Sequence, residues 1–298
     1  MSDITRREFI NRSAAAAALL AGSGAIPANA ETATPGTAVD RVKLGKIAAR
    51  PTRLGMGTGS HGGRDQRELG QAAFDRLVRH AFDQGIRYFD TADNYKTHAM
   101  LRSALKGIPR DQLFIQTKIR VADADQVPAT LDRFRHELGM DYFDSVLIHC
   151  ARRHDWPREL ERMRDDLSKA KDQQIIRAHG MSCHGLQPLS AAAECDWIDV
   201  GLIRINPQGK HVDGPKGAFS EPGNVPKVLN YMNQMHAKGK GIIGMKIIGN
   251  GTFTDAADRE KSIRFAMQLD CLDAVVIGFK APAEVDEAVR RINAALAG

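Results

Sequence analysis

From about residue 53 to its C-terminus the chain repeats one unit: a short apolar run, a turn, then a longer stretch with apolar residues at helical spacing. RLGMGTG is followed by RELGQAAFDRLVRHAFDQG, where Phe74, Leu77, Ala81 and Phe82 share one helical face and Gly85 ends the pattern. IRYF precedes HAMLRSALKG, LFIQTKI precedes PATLDRFRHELG, and YFDSVLIH precedes PRELERMRDDLSKAKDQ. IIRAHGMS then pairs with LQPLSAAAEC, WIDVGLIRI with NVPKVLNYMNQMHAKG, GIIGMKII with DAADREKSIRFAMQLD, and LDAVVIGF with PAEVDEAVRRINAALA. Strands alternating with helices of this length form a parallel sheet with right-handed crossovers. Eight such pairs in about 245 residues predict an α/β chain folded as a (β/α)8 TIM barrel. A doubly wound sheet would place a GxGxxG turn directly between strand 1 and its helix. GMGTGSHGG follows strand 1 here, but the helix begins several residues too late.

The N-terminus reads as an address. ITRREFI carries a twin arginine followed by Phe9, AAAALLAGS is an apolar run too short to span a bilayer, and Ala28 to Ala30 form an A-x-A cleavage pattern. Residues 1–30 therefore read as a twin-arginine signal peptide, recognised by the twin-arginine export machinery and leaving no stable membrane anchor once cleaved. The chain is expected outside the cytoplasm, in the periplasm or extracellular space of a bacterium. Residues 31–43 read as a polar linker and residues 44–298 as the barrel.

The formal charge of the 298 residues is +6 and the basic residues are interspersed with acids, as in RELERMRDD. That pattern speaks against a nucleic-acid partner and suits a small anionic ligand. Cys150, Cys183, Cys195 and Cys271 form no CxxC pair and read as buried thiols, with Cys150 and Cys183 close to a site. No metal site is expected.

In a barrel of this kind chemistry sits at the C-terminal ends of the strands. Strand 2 ends at Asp90 with Tyr95 in the next loop, strand 3 carries Lys118, and strand 4 ends at His149. A lysine in an apolar strand needs a partner, because a buried ammonium loses its hydration. Asp90 on the adjacent strand is that partner. Tyr95 beside the ammonium would have a lowered pKa and could act as a general acid toward a carbonyl oxygen. His149 could orient that oxygen.

Gly85-Ile86-Arg87 followed by FDTADNY, then QTKI, then LIH, resembles the aldo-keto reductase family, from about residue 44 to the end. The resemblance implies an oxidoreductase that reduces an aldehyde or ketone, or oxidises an alcohol, by hydride transfer from NADP(H) or NAD(H). Its catalytic tetrad falls on Asp90, Tyr95, Lys118 and His149, with Tyr95 as the proton donor. The nucleotide half departs from the family's pattern. MSCHG keeps Ser182 against the nicotinamide but puts Cys183 where an asparagine is usual, and Leu202 stands near the expected glutamine, with Arg204 two residues on. Met245 and Lys246 replace a stacking aromatic after strand 7. Gly249 and Gly251 would admit a pyrophosphate, and Lys280, Glu284 and Glu287 would face the adenosine end. Glu284, near the expected arginine, tilts the reading toward NAD(H); Lys280 and Lys246 pull toward NADP(H).

Substrate contacts are expected from Trp156, as a wall, and from Asn206, which opens the glycine- and proline-rich loop 206–224 with Lys210 and His211 close behind. Two rival readings are a nicotinamide-binding barrel that acts as a sensor or partner protein, and a metal-dependent hydrolase built on His149, His184 and Cys183.

Overall fold

The computed structural model describes residues 36–298, so the expected signal peptide and the first part of the linker lie outside the described residues. Eight parallel strands close on themselves in chain order: β1 (Leu54–Gly57), β2 (Tyr88–Asp90), β3 (Phe114–Arg120), β4 (Ser145–Ala151), β5 (His179–Cys183), β6 (Val200–Arg204), β7 (Gly241–Met245) and β8 (Ala274–Gly278). Closure is direct, since Gly55 of β1 pairs with Tyr88 on one side and Val276 on the other. An outer helix follows each strand: α1 (Gln71–Asp83), α2 (His98–Ala104), α3 (Val127–Leu138), α4 (Glu161–Asp172), α5 (Leu186–Glu194), α6 (Val225–Ala237), α7 (Ala256–Met267) and α8 (Pro282–Ala297). The expected (β/α)8 barrel is the fold observed.

Strand alternation divides the core in two. Phe89, Ile115, Val146 and Ile148 face outward and pack under the helices. Tyr88, Phe114 and Leu147 face inward and fill the barrel. Gly55 is required beside them, because a methyl group there would collide with the Tyr88 ring. Two residues further along the same inward set come Asp90, Gln116 and His149, and two beyond Gln116 comes Lys118. Strand parity thus carries apolar filling at the bottom of the barrel and titratable groups at its top.

Two expected helices are interrupted. Residues 67–85 break at Gly70 (φ +71), which separates a short helix, Arg64–Glu68, from α1. Residues 157–173 begin as a short helix, Trp156–Glu159, and resume at Glu161. No helix of the described residues is long and apolar enough to cross a membrane.

The linker reading needs correcting over its described part, 36–43. Ala38 is buried, donates its N–H to Asn293 Oδ1 (2.7 Å) and accepts from the Leu54 amide (2.8 Å). Antiparallel bridges join Arg41 to Thr52 and Leu44 to Ile47. Leu44 is fully buried in the same interior cluster as Tyr88 and Phe114. The polar composition of this stretch hid Ala38, which with Leu44 just beyond it fixes the segment across the bottom of the barrel.

Candidate active site

Lys118 is fully buried, and its ammonium donates to both oxygens of Asp90 (2.7 Å each) and to the Thr91 carbonyl oxygen (2.9 Å). Gln116, two residues earlier on the same strand face, donates to Asp90 Oδ1 (2.8 Å) and to the Tyr88 hydroxyl (2.9 Å). Every hydrogen of the ammonium has an acceptor, so the pair satisfies the condition on which buried charge is tolerated. The strand spacing that suggested the pair places it as expected.

Tyr95 ends the short 3₁₀ turn Asp93–Tyr95, and Lys96 behind it is left-handed (φ 56). Its carbonyl oxygen accepts from Arg67. Its ring lies against Gly59, where an added methyl would fall 2.5 Å from the ring. Asp93, only 2% exposed, anchors the turn through Arg133 (3.0 Å) and Arg120 (3.1 Å). The Lys118 ammonium stands 4.9 Å from the Tyr95 ring centroid, and the His149 ring meets Tyr95 edge-on at 5.5 Å. The four expected catalytic side chains converge at one mouth.

Their protonation states differ from the sequence expectation in one respect. Tyr95 is raised above the ordinary phenol range, by burial first and then by the Asp90 carboxylate and Cys150. The expected lowering by Lys118 is outweighed by burial, which Asp90 reinforces. The phenol is consequently held protonated. Burial also lowers Lys118, against the pull of Asp90. His149 is lowered to about 3 by burial and by Lys118, and its Nδ1 is buried without a partner, so the imidazole is neutral.

A cleft of about 430 Å³ opens from Asp90 and Tyr95, passes Met245 and Lys246 at the end of β7, and runs to the start of α8. Val276, Ile277 and Phe279 give it an apolar side, while Gly57, Gly59 and Gly278 expose backbone. A methyl group on Gly278 would meet Ser60 Oγ and force that hydroxyl to turn away. The far end is ionic. Glu287 bridges Arg259 (2.9 Å) and Arg291 (2.7 Å), Arg291 also meets Glu260 (2.5 Å), and Glu284 accepts from the Lys280 amide (2.7 Å). An apolar channel with bare backbone and an end of mixed charge fits an extended nucleotide whose ring lies beside Tyr95.

Of the expected nucleotide contacts, Lys246, Gly251, Lys280, Glu284 and Glu287 line this cleft. Gly249 does not. It turns the chain in left-handed geometry (φ +58) against Phe253. Ser182 points into the barrel from β5, buried and off the cleft wall. Sequence reading missed Arg259 and Arg291. Glu284, Glu287 and Arg291 share one face of α8 at helical spacing, a pattern visible in the sequence, but the reach of Arg259 across from α7 is tertiary.

Both expected substrate residues need correction. Trp156 is 2% exposed, packs with Trp197 (6.5 Å) and donates its indole N–H to the Pro188 carbonyl (3.2 Å). It belongs to the core between sheet and helices. Asn206 is buried with its amide engaged: Nδ2 donates to the Lys210 and Lys246 carbonyl oxygens (2.8 and 3.0 Å), and Oδ1 accepts from the Lys210 amide (3.0 Å). It braces the loop. The trio proposed for a metal is not assembled either. Cys183 Sγ lies 2.7 Å from Met181 Sδ in the outer layer, and it is Cys150, left-handed at φ 61, that meets His184 Nε2 at 3.4 Å. Among the described residues no three His, Cys, Asp or Glu side chains are placed to hold an ion.

Comparison with known proteins accords with this geometry. Residues 53–297 match the profile of the Aldo/keto reductase family. An aldo-keto reductase of Mycobacterium sp. (strain MCS) is 34% identical over 164 residues, covering 51% of this chain and 52% of the relative. A Saccharomyces cerevisiae protein named glycerol 2-dehydrogenase (NADP(+)) is 32% identical over 88 residues, covering 29% of this chain and 26% of its own length. The chain spans about half the length, or less, of these two relatives. An aldo-keto reductase from Bacillus halodurans, solved in its holo form, superposes with a TM-score of 0.69 at 15% identity, over 87% of this chain and 95% of that one; at that identity the likeness is one of fold. With the profile spanning the barrel from its first strand to its last helix, the chain belongs to the aldo/keto reductase family.

Proposed function

We propose that the chain is an NAD(P)-dependent oxidoreductase that reduces an aldehyde or ketone, or oxidises the corresponding alcohol, with Tyr95 as the proton donor. The observation that carries this reading is the sealed Lys118–Asp90 pair directly beneath a protonated phenol. A carbonyl being reduced gains negative charge on oxygen. Tyr95 can donate its proton to that oxygen. The Lys118 ammonium then stabilises the phenolate left behind, and Asp90 holds the ammonium in place. His149, neutral and edge-on to Tyr95, can offer a hydrogen bond that fixes the oxygen without competing as an acid. A nicotinamide nucleotide in the cleft would supply the hydride. Lys246 would flank its ring, Gly251 its bridge, and Lys280, Glu284 and Glu287 its adenosine end.

The cofactor choice rests on the ionic end of the cleft. Arg259 and Arg291 favour a 2′-phosphate, while Glu284 and Glu287 oppose it. The yeast relative's name supports NADP(H). Titration of the chain with NADPH and NADH, followed by nicotinamide fluorescence, tests the reading directly. Tight binding of either is expected. Tyr95→Phe should keep that affinity and lose about 10²- to 10⁴-fold in turnover; parallel loss of both would make Tyr95 a structural residue.

The proposal includes export. It is supported by RREF, the short apolar run and the A-x-A pattern of the sequence. Twin-arginine transport carries folded proteins, so the nucleotide would be loaded before export. Recovery of the chain only in the cytoplasmic fraction of a bacterial host, with Arg6-Arg7 intact, would remove this part.

A further inference from the structure

Lys246 is a cation that the proton-transfer machinery does not use. It stands at the end of β7 in left-handed geometry (φ 64), its carbonyl oxygen held by Asn206 Nδ2 (3.0 Å). Its ammonium donates to the neutral Asn250 Oδ1 (2.8 Å) and lies 5.6 Å from the Phe219 ring. Among the described residues it has no carboxylate partner, whereas the neighbouring cations do: Lys118 is closed off by Asp90 and Arg204 by Asp213. Lys246 therefore brings the uncompensated charge to this end of the cleft. Burial and Arg204 lower it only to about 8, so it is mostly protonated at neutral pH.

The ring that faces this charge follows from the chemistry. The proton from Tyr95 and the hydride go to the two atoms of one carbonyl bond, so the nicotinamide must lie at the Tyr95 end of the cleft. Tyr95 and Lys246 both line the cleft, and the Lys246 ammonium is near enough to the Asp90–Lys118 pair to feel both of its charges. An oxidised nicotinamide ring carries one positive charge. On accepting a hydride, two electrons and a proton, it becomes neutral. The phosphates are the same in both forms, so the ring alone distinguishes them before Lys246.

We propose that Lys246 makes the cleft discriminate between the redox states of its nucleotide, holding the reduced, uncharged ring more tightly than the oxidised, cationic one. This rests on the reading of the cleft as a nicotinamide site and adds to it a direction: the resting enzyme is kept loaded with reduced nucleotide. Each tenfold of preference raises the potential of the bound couple by about 30 mV.

The test is a set of equilibrium titrations of the full chain with NADH, NAD⁺, NADPH and NADP⁺, following nicotinamide fluorescence for the reduced forms and tryptophan quenching for the oxidised. Wild type should bind the reduced member of the better pair about tenfold or more tightly. Lys246→Met and Lys246→Gln should bring that ratio close to one, chiefly by strengthening oxidised binding. Lys280→Met, at the far end, should change both members by a common factor and leave the ratio alone. A wild-type ratio near one overturns the proposal without any variant. A ratio unmoved by both Lys246 substitutions, or moved as far by Lys280→Met, overturns it as well. Failure of all four nucleotides to bind is a different result and removes the nucleotide reading beneath it.

Discussion

The two halves of the cleft solve opposite problems with similar residues. At the tops of β2, β3 and β4, Asp90 and Lys118 are buried, with their hydrogen bonds fixed by strand geometry. At the start of α8, Lys280 and Glu284 are exposed, and Glu287 shares itself between two arginines from two helices. The first arrangement has essentially one low-energy state, since separating its charges leaves one unpaired out of water. The second can exchange partners at little cost, because water screens each pair. In the proposed function, the proton is handled by the rigid half and the nucleotide is bound and released by the adaptable one.

The comparison breaks most visibly at Lys118. Lys118→Met strands the Asp90 carboxylate and should cost about 3–5 kcal/mol of stability in urea unfolding. Lys280→Met should cost less than about 0.5 kcal/mol. Equal costs would mean the halves are not different in kind. Acid sharpens the contrast. His149 is held at about 3 and His184 at about 2, by burial in each case, against an ordinary value near 6.5 in the unfolded chain. Both are neutral when folded, so the stability they carry is full above pH 6.5 and is lost as pH falls toward those values. Unfolding measured at pH 7 and pH 5 should differ by an amount on the order of a few kcal/mol. Glu287 and Glu260, whose pKa values are lowered by their arginines, begin to lose their contribution only below the ordinary carboxylate range. A flat profile from pH 7 to 5 would contradict the burial of the histidines. The smallest effect is expected at Glu284→Gln, which should improve NADPH binding about two- to fivefold over NADH. No change in that ratio would place the adenosine 2′ position away from Glu284.

What could be read from the sequence follows the same division. The proposed catalytic residues Asp90, Lys118 and His149 lie on strands, where an alternation of two fixes the face and the strand end fixes the depth; they needed nothing more. Tyr95 needed one turn. The ionic end of the cleft depends on how α7 packs beside α8, which local periodicity does not encode, so Arg259 went unseen while Glu284 and Glu287 were placed at the cleft. Trp156 shows the converse error. An aromatic just after a strand end suggests a pocket wall, yet the short helix at Trp156 turns the ring back under α5. Asn206 was placed in the right loop, but its amide is consumed in bracing the chain, which only the hydrogen-bond geometry reveals.

The strap across the bottom of the barrel sets a limit on how far this protein can be trimmed. The family profile begins at residue 53, immediately before β1. A gene cut at that boundary would encode every strand and every proposed catalytic residue. It would also delete Leu44 and Ala38, uncovering the interior around Tyr88 and Phe114 and the edge where Ala38 joins Asn293 and Leu54. The unit that inheritance marks out is therefore shorter than the unit that folds. Any maturation that removes an N-terminal leader has to stop before Ala38 if the barrel is to keep its floor.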